Sequence, residues 1–117
     1  MLEDVPGLMT DIPFSFSFFS TLKGHSSISS HFGPTNLRLR LHIPLFVPSN
    51  ATSDSCALVL AREKKTWSKT LVFDDSYEHE TFNYTDEDRV VLLLDIWHPD
   101  IHVEERAAII EMFKKVK

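Results

Sequence analysis

The chain has one cysteine, Cys56, and so can form no internal disulfide. The same scarcity excludes cysteine-rich zinc modules. Six histidines remain as possible metal ligands: His25, His31, His42, His79, His98 and His102. Positive charge is also in short supply, with 12 Lys and Arg against 17 Asp and Glu, a net charge of −5. That balance excludes a basic nucleic-acid-binding domain. No apolar run approaches ~18 residues, so no transmembrane helix is encoded. The N-terminus lacks a basic stretch followed by an apolar one, and no signal peptide is predicted. A soluble, cytoplasmic chain is the expectation that follows.

What is present is a chain of 117 residues that suits one domain, 1–117, with a modest core. Nine Phe, two Tyr and two Trp in this length point to a β-rich packed interior. The alternation of Phe14, Ser15, Phe16, Ser17 and Phe18 predicts a half-buried strand. Lys23 to Ser30 is polar and reads as a loop, and Gly33-Pro34-Thr35-Asn36 is a turn. Strands are predicted over Ala57–Ala61, Leu71–Phe73, Glu78–Phe82 and Val90–Ile96, the last near-continuously apolar and therefore central. Arg62 to Lys65 reads as a hairpin tip and Asp74-Asp75-Ser76 as a turn. Val103 to Lys117 has helical spacing, with Ile109, Phe113 and Val116 on one stripe. Glu104 and Glu105 in its first turn and Lys114, Lys115 and Lys117 in its last complement the helix dipole. The plan is about seven short strands and a C-terminal helix, which implies a sandwich or barrel.

The strand Leu37 to Ile43, continuing apolar to Val47, is the most informative. Leu37, Leu39, Leu41 and Ile43 share one face, and Arg38, Arg40 and His42 share the other. Two readings stand: an ordinary amphipathic strand with a solvated basic face, or a strand whose polar face lines an anion pocket. His31 and His79, at strand ends several strands apart, can meet across the mouth of a barrel, where neutral imidazoles suit iron, zinc or copper. On spacing alone, satisfied structural histidines are the better reading of that pair.

Three ordered stretches change the balance. His31-Phe32-Gly33-Pro34-Thr35-Asn36-Leu37-Arg38-Leu39-Arg40-Leu41-His42 resembles the first signature of the aspartyl/asparaginyl β-hydroxylase family. Phe73-Asp74-Asp75-Ser76-Tyr77-Glu78-His79-Glu80 resembles the second. Asp88-Arg89 with Asp95-Ile96-Trp97-His98-Pro99 resembles the third. The resemblance runs from about Phe14 to Ala107.

The resemblance implies a mainly β double-stranded β-helix (a cupin-like jelly roll) followed by the C-terminal α-helix. It implies an Fe(II)- and 2-oxoglutarate-dependent dioxygenase that consumes O2 and hydroxylates an unactivated carbon, foremost the β-carbon of Asp or Asn in a protein or peptide. By the same resemblance His31 and His79 are the metal ligands. Arg40 and His42 would meet the C1 end of 2-oxoglutarate, and Arg89, helped by Ser20, the distal carboxylate. Gly33 stands where most such oxygenases carry a ligating carboxylate. Water is then expected in the third position, with Asp75 as the acceptor that holds it. Arg38 shares the basic face and ranks below Arg40 as a pocket residue.

Relative to the family pattern the N-terminus is expected to be short. The Trp67–Phe73 turn is about two residues shorter and lacks a glycine, and Ser29-Ser30 replaces a proline-containing approach to His31. A catalytically silent cupin-like binding module, a cupin holding another metal such as zinc, and a hydroxylase of a lipid or small molecule are the alternatives. The endoplasmic reticulum is the compartment that the resemblance adds. His98 is expected to be structural, His25 and His102 exposed, Cys56 and Trp67 buried, and Asp74 a turn cap.

Overall fold

A computed structural model describes residues 8–9 and 17–115 of the chain, with side chains as far as Met112. Eight strands precede one helix: β1 (Ser17–Leu22), β2 (Ser26–His31), β3 (Arg38–Phe46), β4 (Cys56–Leu60), β5 (Glu63–Lys65), β6 (Leu71–Phe73), β7 (His79–Asn83), β8 (Arg89–Trp97) and α1 (Val103–Lys115). The protein is therefore mainly β with a C-terminal helix, as expected. Of the alternating run from Phe14 to Phe18, Ser17 and Phe18 open β1, and the rest lies outside the described residues.

Two four-stranded antiparallel sheets form, with orders β1-β8-β3-β6 and β2-β7-β4-β5. The pairs β1 with β8, β2 with β7, β3 with β6 and β4 with β5 are those of one long antiparallel hairpin. Its tip is the β4–β5 turn, and its successive pairs alternate between the sheets. Ala61 and Arg62 form that tip at φ 51° and 65°. Both central residues of a two-residue hairpin turn adopt the left-handed region, here without a glycine. Glu63 to Lys65, read from sequence as part of the tip, is instead the short strand β5.

The core lies between the sheets, where Leu22, Cys56, Leu58, Trp67, Phe73 and Val91 are buried together. β8 is central in its sheet, as its apolar run predicts, and alternates Arg89, Val91, Leu93 and Asp95 toward the interior. At the other end of the molecule Met9 and Trp97 are covered by Leu37, Ile101, Ile109 and Ile110. This seats α1, whose start is capped when the backbone N–H of His102 donates to Glu105 Oε1 at 3.3 Å. Of the expected stripe, Ile109 is in place, while the side chains of Phe113 and Val116 lie outside the described residues.

The polar run before His31 departs from expectation: it is the strand β2, not a loop. Four serines and one isoleucine give no apolar alternation. The strand exists because β7 supplies hydrogen bonds along one side, and its position at the sheet edge leaves the serines in water. Such a polar edge also discourages pairing between molecules.

Candidate active site

The polar face of β3 is turned inward. Arg38 and His42 are buried at 1% and 6% exposure, and the solvated reading of that face is excluded. Two guanidinium groups enter the interior with two carboxylates. Arg40 lies opposite Asp95 in the β3–β8 register and donates Nε to Asp95 Oδ1 at 2.9 Å. Arg38 donates Nη1 to Asp95 Oδ2 at 3.1 Å, and Nε and Nη2 to Asp75 at 3.0 and 2.6 Å. The charges cancel, and the planar fork of Arg38 ties β8 to the β6–β7 turn. Burial would raise the Asp75 carboxyl, but the Arg38 hydrogen bonds and the charges of Arg40 and Arg38 outweigh it and hold the group below its ordinary range.

Asp75 also explains Gly33. The backbone N–H of Gly33 donates to Asp75 O at 2.5 Å. A Cβ at position 33 would fall 2.2 Å from Asp75 Oδ2. The Asp75 carboxylate therefore fills the space that any side chain at position 33 would take. Asp74 caps the same turn by accepting from Ser76 N and Oγ at 3.0 and 2.6 Å.

An inner cavity of about 90 Å³ opens between the sheets, and six of the seven predicted site residues line it: Ser20, His31, Arg40, His42, His79 and Arg89. Asp75, the seventh, stands behind Arg38 and Arg40. Arg38 is likewise behind the cavity wall and holds the carboxylates rather than facing the cavity.

His31 and His79 end β2 and begin β7, in register with one another, with ring centroids 4.4 Å apart. Each uses Nδ1 on a backbone carbonyl two residues earlier, Ser29 O at 2.8 Å and Tyr77 O at 2.9 Å. A carbonyl only accepts, so Nδ1 carries the proton in both rings and Nε2 keeps its lone pair. This is the tautomer a metal-binding imidazole needs. The Ser29-Ser30 approach to His31 thus supplies its own anchor. Burial holds His79 below its ordinary pKa, which favours the neutral ring. Among the described residues no third His, Cys, Asp or Glu completes a metal cluster with them.

His42 is oriented by Trp67, whose indole N–H donates to His42 Nδ1 at 3.1 Å. Its proton must therefore sit on Nε2. Burial first, then the charges of Arg89 and Arg40, push its pKa down to about 3. The unfolded chain takes up this proton near 6.5 and the folded chain does not, so stability from His42 is full above pH 6.5 and falls as pH drops toward 3. Thermal melts between pH 7.5 and 5 should show a loss of roughly 2 kcal/mol from this one group, at about 1.4 kcal/mol per pH unit. In His42→Gln the slope should be shallower by one proton. Identical slopes would place the proton uptake elsewhere.

Arg89 is 3% exposed. Its Nη2 donates to Ser20 O and Oγ at 3.4 and 3.3 Å, and its guanidinium lies 4.5 Å from the Trp67 ring. Among the described residues no carboxylate pairs with it, and its Nε has no partner. Burial lowers its pKa to about 10, so it remains a cation at neutral pH. A buried cation with no counter-charge among the described residues is one that an incoming anion would neutralise.

Beside the cavity lies an open groove of about 700 Å³, lined by Val59, Leu60, Ala61, Arg62, Tyr77 and Glu78 among others. His79 belongs to both, so the groove reaches the imidazole pair from outside.

The model of the family described as Aspartyl/Asparaginyl beta-hydroxylase matches residues 1–99. The chain belongs to the aspartyl/asparaginyl β-hydroxylase family. Family relatives include the human Aspartyl/asparaginyl beta-hydroxylase, 36% identical over 93 residues, which are 78% of this chain and 12% of the relative. The human Aspartate beta-hydroxylase domain-containing protein 2 is 37% identical over 101 residues, 82% of this chain and 26% of the relative. The Ornithine lipid ester-linked acyl 2-hydroxylase of Rhizobium tropici is 38% identical over 100 residues, 84% of this chain and 33% of the relative. The chain thus spans about a third or less of the length of these relatives.

The sequence points to six of the cavity-lining residues and leaves out three residues that bear on the site, two that support it and one in its wall. Trp67, read only as core, orients His42 and stacks on Arg89. Asp95, quoted within a signature, holds both arginines. Its signal was a lone carboxylate inside an apolar strand, which demands a cation. Thr81 lines the cavity two residues after His79, on the same strand face. His98 donates its backbone N–H to Leu37 O at 2.8 Å and accepts from Asp100 N at Nδ1 at 3.2 Å, and His25 and His102 are exposed, as expected.

Proposed function

We propose that this chain forms the site of an Fe(II)- and 2-oxoglutarate-dependent dioxygenase on a jelly-roll fold. The alternation of successive hairpin pairs between two sheets supports the jelly-roll reading. One observation carries the function: two imidazoles presenting Nε2 lone pairs and an unpaired buried cation line the same small cavity. The residues fit the groups that the reading requires.

In this reading His31 and His79 hold the metal through Nε2. Arg40 and the Nε2–H of His42 donate to the C1 carboxylate of the cosubstrate, and Arg89 and Ser20 to its distal carboxylate. Asp75, beside Gly33 and behind Arg40, would be the acceptor for a water at the position that Gly33 leaves without a ligand. Iron, 2-oxoglutarate and O2 would supply oxidation of an unactivated C–H bond, with succinate and CO2 released. His42 and Arg89, both buried, shield the cosubstrate end of the cavity from bulk water, while the His31 end is open to solvent. The open groove at His79 is the approach for the prime substrate, foremost an Asp or Asn side chain of a protein or peptide. The apolar stretch Val59, Leu60 and Ala61 along that groove, with the acyl hydroxylase among the relatives, favours a lipid acyl chain as the second reading.

The test is succinate formation from 2-oxoglutarate with Fe(II) and ascorbate and no prime substrate. Wild type should produce succinate, and His79→Ala should lose more than roughly 100-fold, beyond what removing an outer partner of a metal ligand costs. Binding of 2-oxoglutarate without succinate from wild type would favour the silent module. No binding at all would overturn the roles of Arg40, His42 and Arg89.

A further inference from the structure

Two buried polar side-chain atoms lack a hydrogen-bond partner among the described residues: Arg89 Nε and Thr81 Oγ1. Both residues line the inner cavity. Thr81 is 6% exposed and stands opposite Leu58 on β4 and Ile28 on β2, which offer its hydroxyl nothing. An unpartnered buried hydroxyl destabilises the empty protein, and valine would fill the same space without it. A threonine here is accounted for by an acceptor that enters the cavity and takes its proton.

The same walls identify that ligand. Ser20 contributes a hydroxyl and Arg89 a cation with a free N–H. Two hydroxyls and a guanidinium are three donors for one oxyanion, and a carboxylate has the lone pairs to accept from all of them. We infer that Thr81 is a third contact, with Ser20 and Arg89, for the distal carboxylate of the cosubstrate. It thereby adds to the preference, carried mainly by Arg89, for a dicarboxylic over a monocarboxylic 2-oxo acid. The inference rests on the proposed 2-oxoglutarate reading and adds a residue outside the matched signatures.

Calorimetric titration under anaerobic Fe(II) tests it without turnover. The probes are 2-oxoglutarate and 2-oxovalerate, which has a methyl group in place of the distal carboxylate. Thr81→Val should bind 2-oxoglutarate roughly tenfold more weakly, the loss of one hydrogen bond to a charged group, and 2-oxovalerate unchanged. Thr81→Ser should restore the wild-type value. If valine does not fold, Thr81→Ala gives the same comparison. Unchanged 2-oxoglutarate binding in the variant overturns the inference alone. An equal loss for both acids also overturns it, because the hydroxyl would then serve another part of the ligand or a water. Wild type that binds neither acid overturns the proposed function with it.

Discussion

Asp95→Ala should cost about 3–5 kcal/mol of stability, the usual result of removing one partner from a buried charge network. Asp95 is fully buried and receives Arg40 Nε at 2.9 Å, Arg40 Nη2 at 3.2 Å and Arg38 Nη1 at 3.1 Å. Its loss leaves the buried guanidinium of Arg38 and the part-buried one of Arg40 facing one carboxylate, Asp75. Domains of this size are held by about 5–15 kcal/mol, so the change removes a large share. The melting midpoint should fall by on the order of 15 °C, which a thermal melt by circular dichroism reads directly. Asp95→Asn should fall by less, because an amide keeps one acceptor. On an Arg40→Ala background the same Asp95→Ala change should cost less than it does alone, since the partners are coupled. A variant that melts with wild type would mean that the arginines find other partners and that Asp95 does not organise this wall.

The legible part of the fold was the part whose residues alternate. β3, β4, β6 and β8 each carry apolar residues at strand spacing, or a near-continuous apolar run, and each stands where that pattern puts it; β7 has Phe82 as its one apolar residue and is held by pairing with β2 and β4. β2 carries neither: serines give no periodic signal, and only pairing with β7 makes Ser26–His31 a strand. The alternation of β3 was legible, but its sense was not. Period two places Arg38, Arg40 and His42 together without saying which face is inside. Ordinarily the leucine face would be buried, and here the carboxylates of Asp75 and Asp95 make it possible to bury the arginines instead. Likewise the family signatures named His31, His79 and the basic residues. They said nothing of Thr81 or of the second role of Trp67, whose parts depend on contacts across the two sheets.

Arg89→Met should move stability and binding in opposite directions. In the protein without ligand the Arg89 guanidinium is taken out of water with little in return. It has two long contacts to Ser20 at 3.3 and 3.4 Å, the Trp67 ring at 4.5 Å, and no partner for Nε. Burial lowers its pKa to about 10, the sign of a charge held where it is poorly solvated. Methionine is long and flexible enough to fill the same channel without a charge. The lost contact with Trp67 offsets part of the gain, since a desolvated cation–π pair contributes about 2 kcal/mol. Even so, a net rise of about 1 kcal/mol, several degrees in melting midpoint, is expected from removing an uncompensated buried cation. If the chain binds 2-oxoglutarate as proposed, the same change should weaken it by roughly 2–5 kcal/mol, a loss of about thirtyfold to several thousandfold, because the distal carboxylate would lose its only cation among the described cavity-lining residues near Ser20. The two readings are a melt without ligand and an anaerobic Fe(II) titration. A variant that is less stable would mean that Arg89 holds the fold together. A variant that binds 2-oxoglutarate as wild type does would take the carboxylate site away from β8. The paired outcome, firmer and unable to bind, is what a cation kept unpaired for an incoming anion requires.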